Sequence, residues 1–440
     1  MWGTFLTAQA VRRESIRPSG AHGKPLEPRH GRLVVGRLTQ AYRKIRRWRL
    51  THDFPFDLYV DHPLPGEVGS VPWVLVQGWI AVPTSAEVEG PWVECGPRIP
   101  LARSSRPDVQ AEHPEARVVS FEDLVAARDA VPGMDWMLAI SVDGKVYRTA
   151  LPVAFASHLL ESFEDRKRAK LARLEALVRC PHCRSELSAD GVDRRRCSSC
   201  GQVYERTASY FDFLTPELRA DARIDATDHV SAGAYGNNRD IQDVIDRHAD
   251  GLLLDVGAGM KSTYFDNVVN LEIVDYPSSD VLGVAERLPF ADESFEGALS
   301  LEVLEHVRDP FAVASEIARV VKPGGTIYIA APHLAPYHGY PHHYYNMTRQ
   351  GLEALFSVEF DIERSYSPDF GQPMWALNWF LTSYARGLPP DVAERFRQMR
   401  VEELMGPGRD YLARDFVVEL SADVVMELAT NNAIIATKRS

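Results

Sequence analysis

Gly251-Leu-Leu-Leu-Asp-Val-Gly-Ala-Gly-Met260 is the most informative stretch of this sequence. Residues 252–256 are apolar except for Asp255, as in a parallel strand that is covered on both faces. Gly257 and Gly259 then form a turn in which backbone can approach a ligand closely, because glycine has no Cβ. The pattern predicts a buried strand whose carboxyl end meets a nucleotide-like ligand in an open α/β sheet.

Composition places the chain among ordinary globular proteins of about three domains: it has 440 residues, of which 45% are hydrophobic and 25% charged. The sequence shows no apolar run of membrane-spanning length and no signal peptide, so it predicts no transmembrane segment and a cytoplasmic location. The net charge of -12 is uneven, because residues 1–50 carry +10 and the remainder -22. An acidic body does not favour nucleic acid as a partner. The oligomeric state is left open.

The first half of the chain divides into three predicted parts. Residues 1–52 form a basic, partly disordered arm with an amphipathic helix from Leu38, which can bind RNA or a membrane surface but more often docks on an acidic neighbour. Residues 53–155 form a β-rich, sandwich-like domain with an Asp143-Gly144 hairpin turn, and its tryptophans belong to the core rather than to a sugar-stacking platform. Residues 156–179 form a helical linker.

Four cysteines lie in two CxxC pairs, Cys180-Pro-His-Cys183 and Cys197-Ser-Ser-Cys200, separated by thirteen residues. Each pair can aim two thiolates at one point, and four thiolates complete the tetrahedral shell that Zn²⁺ prefers. Because sulfur fills all four positions, the predicted zinc is structural. Residues 180–215 are therefore predicted to be a zinc ribbon. Its surrounding arginines are expected to balance the thiolates, although an arginine-rich ribbon could also bind nucleic acid.

Strands and helices alternate regularly after residue 251. Asp309 and Pro310 cap and start a helix that ends at the Lys322-Pro-Gly-Gly325 turn. The further strands are predicted at 268–273, 280–284, 297–301 and 326–331, with two edge strands at 360–366 and 432–438. This alternation predicts a doubly wound, Rossmann-like parallel sheet. Ser262 stands where a dinucleotide fingerprint requires glycine or alanine, which argues against a dinucleotide.

Five short signatures occur in a characteristic order: Asp255-Val-Gly-Ala-Gly259, Leu288-Pro-Phe290, Ser294-Phe295, Glu302-Val-Leu-Glu-His306 and Lys322-Pro-Gly-Gly325. Together they resemble the class I S-adenosylmethionine (SAM) methyltransferases of the small-molecule type. The resemblance covers residues 250–360, and the ribbon resembles modules fused or bound to methyltransferases. Residues 216–440 are accordingly expected to be a class I SAM methyltransferase domain.

The resemblance also implies a SAM site. It places the methionine part beside the glycine turn, the ribose hydroxyls at Glu272 with Asp275 as second choice, and the adenine at the turn after the third strand. The implied residues are Asp255, Gly257, Ala258, Gly259, Glu272, Ala285, Leu288 and Leu301. The sequence departs from the family at Lys261, which replaces a glycine, at Val284, which replaces an aspartate, and in a first crossover too short for its usual helix.

The loop after the fifth predicted strand is rich in histidine and tyrosine. In such a sheet this loop opens on the ligand crevice, where a histidine can deprotonate a hydroxyl or amine near neutral pH. We predict His338 as the catalytic base, with His343 as the second candidate. A second metal ion is disfavoured because the sequence shows no carboxylate nearby. Residues 375–405 are predicted to form a helical lid over the acceptor.

The sequence thus predicts an enzyme, a SAM-dependent methyltransferase that acts on a small molecule or glycan by O- or N-methylation. The glycan expectation comes from the Gly78-Trp79 strand, which resembles the β-sandwich modules placed ahead of enzymes acting on surface glycans. Two alternatives stay open. One is an RNA methyltransferase that uses the ribbon and the basic arm, and the other is a silent scaffold whose motif departures have abolished SAM binding.

Overall fold

The computed structural model describes residues 48–49, 56–63, 71–104, 109–110, 113, 115–126, 134–153, 159–221, 238–261, 263–338 and 342–433. The chain divides after Arg47 into two units, and all described residues belong to the second. Most of the predicted amphipathic helix, Ser262 and most of the predicted strand 432–438 lie outside the described residues. Trp48, which was predicted to lie in that helix, is in a strand.

The N-terminal β-rich domain consists of two antiparallel sheets. One sheet has the order β1-β2-β3-β7-β6 and the other the order β5-β4-β8-β9. The strands are β1 (Trp48–Arg49), β2 (Asp57–His62), β3 (Trp73–Pro83), β4 (Val88–Glu94), β5 (Arg98–Pro100), β6 (Arg103–Ser104), β7 (Ala116–Ala126), β8 (Met137–Val142) and β9 (Lys145–Ala150).

A single core joins these two sheets, as the alternation of apolar residues predicts. Ile80 and Phe121 of one sheet and Val93 and Ile140 of the other belong to the same buried cluster. The predicted hairpin at Asp143-Gly144 connects β8 to β9 with positive φ at both residues, 50° and 76°, as a type I′ turn requires. Trp73, Trp79 and Trp92 are all buried, but none belongs to the cluster between the two sheets, so the predicted place in the sandwich core was wrong. Trp73 packs instead with Phe163 and Tyr264.

The third sheet has nine strands, in the order β10-β11-β12-β13-β16-β15-β14-β17-β18. Its last five strands along the chain, β14 (Leu253–Val256), β15 (Val268–Glu272), β16 (Val281–Leu282), β17 (Phe295–Leu301) and β18 (Val321–Ala330), are parallel neighbours. All four residues of β14 are buried, which explains its apolar sequence. The predicted doubly wound sheet is therefore present.

The ribbon strands extend this sheet rather than forming a sheet of their own. They are β10 (Leu187–Ala189), β11 (Arg194–Cys197), β12 (Val203–Arg206) and β13 (Phe211–Asp212). β13 pairs in parallel with β16, with Phe211 opposite Val281. Hydrogen bonding is thus continuous from the cysteine ribbon to the centre of the parallel sheet.

Nine helices accompany the sheets in the described part of the chain. They are α1 (Leu159–Leu174), α2 (Pro216–Asp221), α3 (Arg239–Arg247), α4 (Pro310–Val320), α5 (Arg349–Phe356), α6 (Pro373–Arg386), α7 (Pro390–Arg397), α8 (Asp415–Val418) and α9 (Ala422–Leu428). Short 3₁₀ turns cover Ala285–Arg287, Asp369–Gly371, Val401–Leu404 and Gly408–Tyr411. Among the described residues, no helix is long and apolar enough to cross a membrane.

The C-terminal segment differs from the sequence prediction in one respect. Residues 360–366 form no strand, although the sequence analysis predicted an edge strand there. Their polar side chains are used elsewhere, because Arg364 and Tyr366 both contact Asp240 at the start of α3. Residues 375–405 are mainly helical, as predicted, and contain most of α6, all of α7 and the Val401–Leu404 turn.

The crossover between β14 and β15 carries no helix in its described residues, and α1 packs there instead. Arg166 of α1 donates to the carbonyl of Tyr264 at 2.8 Å and pairs with Asp266 at 2.7 Å. Phe163 of α1 meets the Tyr264 ring edge-on, with centroids 4.9 Å apart. The predicted helical linker is therefore a packed part of the parallel-sheet domain.

A buried ion pair fixes α1 to the sheet. Lys170 Nζ lies 3.1 Å from Asp280 Oδ2 and donates to the carbonyl of Val268 at 2.6 Å. Asp280 also accepts hydrogen bonds from the Tyr264 hydroxyl and from the amide of Asn270. Burial lowers the pKa of Lys170 to about 8, while Asp280 acts in the opposite direction. The pair is satisfied by hydrogen bonds, which is the condition for a buried charge to be tolerated.

Lys170→Ala should destabilise the protein by about 3–5 kcal/mol, because it leaves the Asp280 carboxylate buried without its cation. Urea unfolding of the full chain, followed by circular dichroism, measures this loss. Arg168→Ala is the matched control, since Arg168 lies on the same helix and its side chain is 60% exposed. Equal unfolding midpoints for the two variants would contradict the structural role of the pair.

Candidate active site

The glycine turn after β14 is shaped by backbone conformation and close packing. Gly257 and Gly259 have φ of 67° and 62°, which L side chains rarely adopt. A Cβ on Gly257 would lie 2.4 Å from Val303 Cγ2, so this turn touches the segment that follows β17. The amides of Gly257 and Ala258 both donate to the carbonyl of Leu271 at 3.0 Å. The turn is therefore held between β15 and the end of β17.

Glu272, the last residue of β15, places its carboxylate against the glycine turn. Its Oε2 accepts a hydrogen bond from the Gly259 amide at 2.7 Å, and its Oε1 accepts one from the Ile273 amide at 2.7 Å. Burial raises the pKa of Glu272, and these backbone amides oppose the rise. Asp275, the second choice for the ribose, is exposed and interacts with Tyr210. Of the two carboxylates, Glu272 is the one at the turn.

Lys261, a departure from the family pattern, forms an ion pair with Asp255. Lys261 Nζ lies 3.0 Å from Asp255 Oδ2, and both side chains are buried. The Lys261 amide donates to Ser278 Oγ at 3.3 Å, and its carbonyl accepts from the indole Nε1 of Trp73 at 2.8 Å. The hydrogen bond from Trp73 thus connects the glycine turn to the N-terminal β domain. The charge of Asp255 is balanced by the ammonium group of Lys261.

The other residues predicted for SAM lie at the carboxyl edge of the same sheet. Ala285 begins the 3₁₀ turn after β16 and Leu288 follows it, and both are buried in the main core. The Leu288 amide donates to Glu316 Oε2 at 2.8 Å, which fixes this turn against α4. Leu301 ends β17 and packs on the Leu253 side of the sheet. Because β16 pairs with β15, the turn that follows β16 lies beside the end of β15.

A cavity of about 270 Å³ lies between this turn and the ribbon. Gly283, Val284 and Arg287 line one side, and His182 and Tyr204 of the ribbon line the other. Sequence reasoning treated the ribbon and the methyltransferase segment as separate domains and missed this shared wall. The signal that could have revealed it is the strand-like segment 210–214, which pairs with β16.

Two histidines meet where the loops after β17 and β18 converge. His306 Nδ1 bonds to the carbonyl of His342, and His338 Nδ1 bonds to the carbonyl of Pro336 at 2.8 Å. Because a carbonyl oxygen only accepts, each Nδ1 carries the proton, and each Nε2 keeps its lone pair. Burial lowers the pKa of both His306 and His338. Both rings are therefore neutral at pH 7 and present Nε2 as a base or ligand.

Glu305 brings a carboxylate to the histidines that sequence reasoning did not expect there. It is fully buried, and its Oε1 lies 3.5 Å from His306 Nε2. Neither carboxylate oxygen has a hydrogen-bond partner within the part of the chain that the structure describes. Burial raises the pKa of Glu305 to about 8. The expectation that no carboxylate lies near the histidines was wrong, because β17 and β18 are adjacent and bring their following loops together.

His343, the second candidate base, holds the loop in place. Its Nδ1 accepts from the His338 amide at 3.2 Å, and its Nε2 bonds to Asn346 Oδ1 at 3.2 Å. Both nitrogens are thus engaged in hydrogen bonds, whereas His338 keeps its Nε2 available. The His338 ring lies 5.3 Å from that of Trp379 in α6, so the predicted lid is in contact with the candidate base.

The four ribbon cysteines form one cluster. Their Sγ atoms all lie within 4.8 Å of one another, with Cys183–Cys197 at 3.3 Å and Cys180–Cys200 at 3.7 Å. Four sulfurs about 2.3 Å from a tetrahedral zinc lie roughly 3.8 Å apart, so the cluster fits such an ion with little rearrangement.

Three of the ribbon arginines form ion pairs with carboxylates. Arg195 pairs with Glu175 at 2.6 Å, Arg196 with Asp190 at 2.8 Å, and Arg184 with Glu316 at 2.9 Å. Each pair reduces the positive charge that the ribbon could offer to a phosphate backbone. This arrangement does not favour the RNA-binding alternative.

Comparison with known proteins gives a consistent result for this region. Residues 243–329 match the family model of a methyltransferase domain. A ubiquinone biosynthesis O-methyltransferase of Parvibaculum lavamentivorans is 46% identical over 46 residues, 10% of this chain and 18% of that protein. The same enzyme of Dechloromonas aromatica is 40% identical over 57 residues, 13% of this chain and 23% of that protein. The chain thus spans about a fifth of the length of these relatives.

A solved SAM-dependent methyltransferase from Thermotoga maritima shares 20% identity with this chain, with a TM-score of 0.21, and the match covers 26% of this chain and 67% of that one. Residues 243–329 thus resemble a methyltransferase domain, and this segment contains the glycine turn and most of the parallel sheet. Within this chain, that methyltransferase domain is combined with a four-cysteine ribbon and a β-rich domain.

Gly257→Ala should lower the melting temperature more than Gly144→Ala does. Both positions have positive φ, which costs an alanine about 1–2 kcal/mol, but only at Gly257 would the added Cβ meet another side chain, that of Val303. Gly144 has open space around it and is therefore the matched control. Calorimetric melting of both variants provides the comparison, and equal shifts would show that the Val303 contact does not constrain the turn.

Proposed function

We propose that this protein transfers a methyl group from SAM to a small-molecule or glycan acceptor, by O- or N-methylation. The observation that carries the proposal is the buried Glu272 carboxylate, which binds the Gly259 amide at the carboxyl edge of the parallel sheet. The short matches to ubiquinone biosynthesis O-methyltransferases favour a small molecule and transfer to oxygen.

The residues at this edge suit the parts of SAM. Glu272 accepts hydrogen bonds from the backbone amides of Gly259, Ile273 and Val274, so about one of its four lone-pair sites remains for a ribose hydroxyl. Asp255 and Lys261 present one charge of each sign, which complements the zwitterionic methionine end. Gly257, Ala258 and Gly259 leave room beside the turn, and Ala285, Leu288 and Leu301 supply apolar surface.

Bound SAM supplies an electrophilic methyl group on its sulfonium. The protein's contribution is to position an acceptor and to accept its proton. His338 is suited to this task because its Nε2 keeps a lone pair and burial lowers its pKa, so the ring is neutral near pH 7. His343 and Trp379 hold the loop and cover it. We therefore assign proton transfer to His338 and loop positioning to His343.

Glu272→Ala should weaken SAM binding by ten- to a hundredfold, because it removes charge-assisted hydrogen bonds worth about 1.5–3 kcal/mol. Isothermal titration of SAM into the purified protein measures the dissociation constant. The control is Glu359→Ala, which removes an exposed carboxylate after α5 and should bind SAM like the wild type. Unchanged affinity in Glu272→Ala would refute the ribose assignment, and no SAM binding by the wild type would support the silent-scaffold alternative.

We also propose that the four ribbon cysteines hold a structural Zn²⁺. The spacing of their Sγ atoms and the absence of a fifth position for water support this role. Because β13 pairs with β16, the folding energy that the metal supplies reaches the methyltransferase sheet directly.

Cys197→Ser should release the sulfur-bound metal and lower the melting temperature, since this ion stabilises only the folded ribbon. After substitution of zinc by Co²⁺, the intense sulfur-to-cobalt absorption band should disappear in this variant. His182→Ala is the matched control, because His182 lies between the first two cysteines but is exposed. A Cys197→Ser protein that keeps the full absorption band would contradict the assignment.

A further inference from the structure

We propose that Glu305, His306 and His338 form a second metal site that binds a divalent transition-metal ion, with Zn²⁺ as the expected occupant. One ligand atom of each residue lies within 4.8 Å of the other two. Two imidazoles and one carboxylate are donors that zinc and its first-row neighbours favour, whereas Mg²⁺ and Ca²⁺ prefer oxygen ligands.

The tautomers of the histidines support this assignment. His306 and His338 each donate Nδ1–H to a backbone carbonyl, of His342 and Pro336 respectively. Histidines that bind metals through Nε2 usually have this second hydrogen bond, which orients the ring and increases the basicity of the ligating nitrogen. Two separate loops therefore hold two rings in the form that a metal ion requires.

Glu305 provides an independent indication. Its side chain is fully buried, and neither oxygen has a hydrogen-bond partner in the described segments of the chain. A buried carboxylate normally requires a cation or several donors to compensate for lost hydration. His306 Nε2 lies 3.5 Å from Glu305 Oε1, close to the roughly 3.4 Å that separates two ligands about 2.1 Å from a tetrahedral zinc. A metal ion would satisfy Glu305 and both rings at once.

This site differs in kind from the cysteine ribbon. Three protein ligands leave at least one coordination position open, as in metal sites that bind a substrate oxygen or water. The loops that carry the ligands follow β17 and β18, and Val303, two residues before Glu305, contacts Gly257 of the glycine turn. If the proposed methyl transfer is correct, an acceptor hydroxyl bound to the ion at the open position would stand near the SAM turn and release its proton to solvent water more easily. In the metal-bound protein His338 would be a ligand, so its assignment as proton acceptor applies to the metal-free protein.

Metal content of the full-length protein tests the proposal. The chain is loaded with Zn²⁺, separated from free ion by gel filtration, and assayed for zinc by mass spectrometry. We expect two ions per wild-type chain and one ion per chain for Glu305→Gln and for His338→Ala. His333→Ala is the matched control, because His333 is an exposed histidine at the start of the same loop, and it should keep two.

The two sites are distinguished by combining these variants with Cys197→Ser. That variant alone should also keep one ion, and Cys197→Ser with His338→Ala should keep none. One ion in the wild type, removed entirely by Cys197→Ser, would overturn the proposal, as would two ions retained in both Glu305→Gln and His338→Ala. SAM titration of the same proteins separates the two proposals, since failure to bind SAM leaves the zinc count unaffected.

Discussion

The short connection between β14 and β15 is the constraint on which the rest of this structure depends. Residues 257–267 leave no room for the usual crossover helix, so another segment must cover that face of the sheet. α1 does so, and its buried Lys170 pairs with Asp280 beneath it. The N-terminal β domain also contacts this region, because Trp73 packs with Phe163 of α1 and with Tyr264 of the connection. What looks like a linker in the sequence is therefore part of the core of the parallel-sheet domain.

The same constraint shapes the candidate site. Trp73 donates to the carbonyl of Lys261, so the β domain contacts the backbone of the glycine turn itself. Lys261 in turn neutralises Asp255, which is buried at the end of the central strand. The departure from the family pattern at this position thus has a local compensation. A flexible glycine is replaced by a residue held at its amide, its carbonyl and its ammonium group.

The sequence predicted the parts of the fold that depend on local pattern. The apolar run of β14, the Asp309 cap and the CxxC pairs each carry their signal within a few residues, and the structure contains the corresponding elements. Motif spacing also singled out Glu272, which lies at the glycine turn, while its role toward SAM stays a prediction.

Contacts between distant segments could not be predicted in this way. Glu305 lies close to His338 because β17 and β18 are adjacent strands. The residues next to Glu305 in the sequence give no indication of this contact. The predicted strand at 360–366 failed for the opposite reason. Arg364 and Tyr366 of this segment contact Asp240 on α3. These tertiary contacts hold the segment outside the sheet.

The pairing of β13 with β16 also protects the protein against self-association. Without the ribbon, β16 would be an outer strand with unpaired amides and carbonyls, and its two residues, Val281 and Leu282, are apolar. The unpaired backbone groups of such an edge strand can form hydrogen bonds with an edge strand of another molecule. In the intact chain the outermost strand on that side is β10, which is three residues long and mostly exposed. The cysteine ribbon therefore covers the edge of the parallel sheet, and we expect the ribbon to contribute to the solubility of the protein.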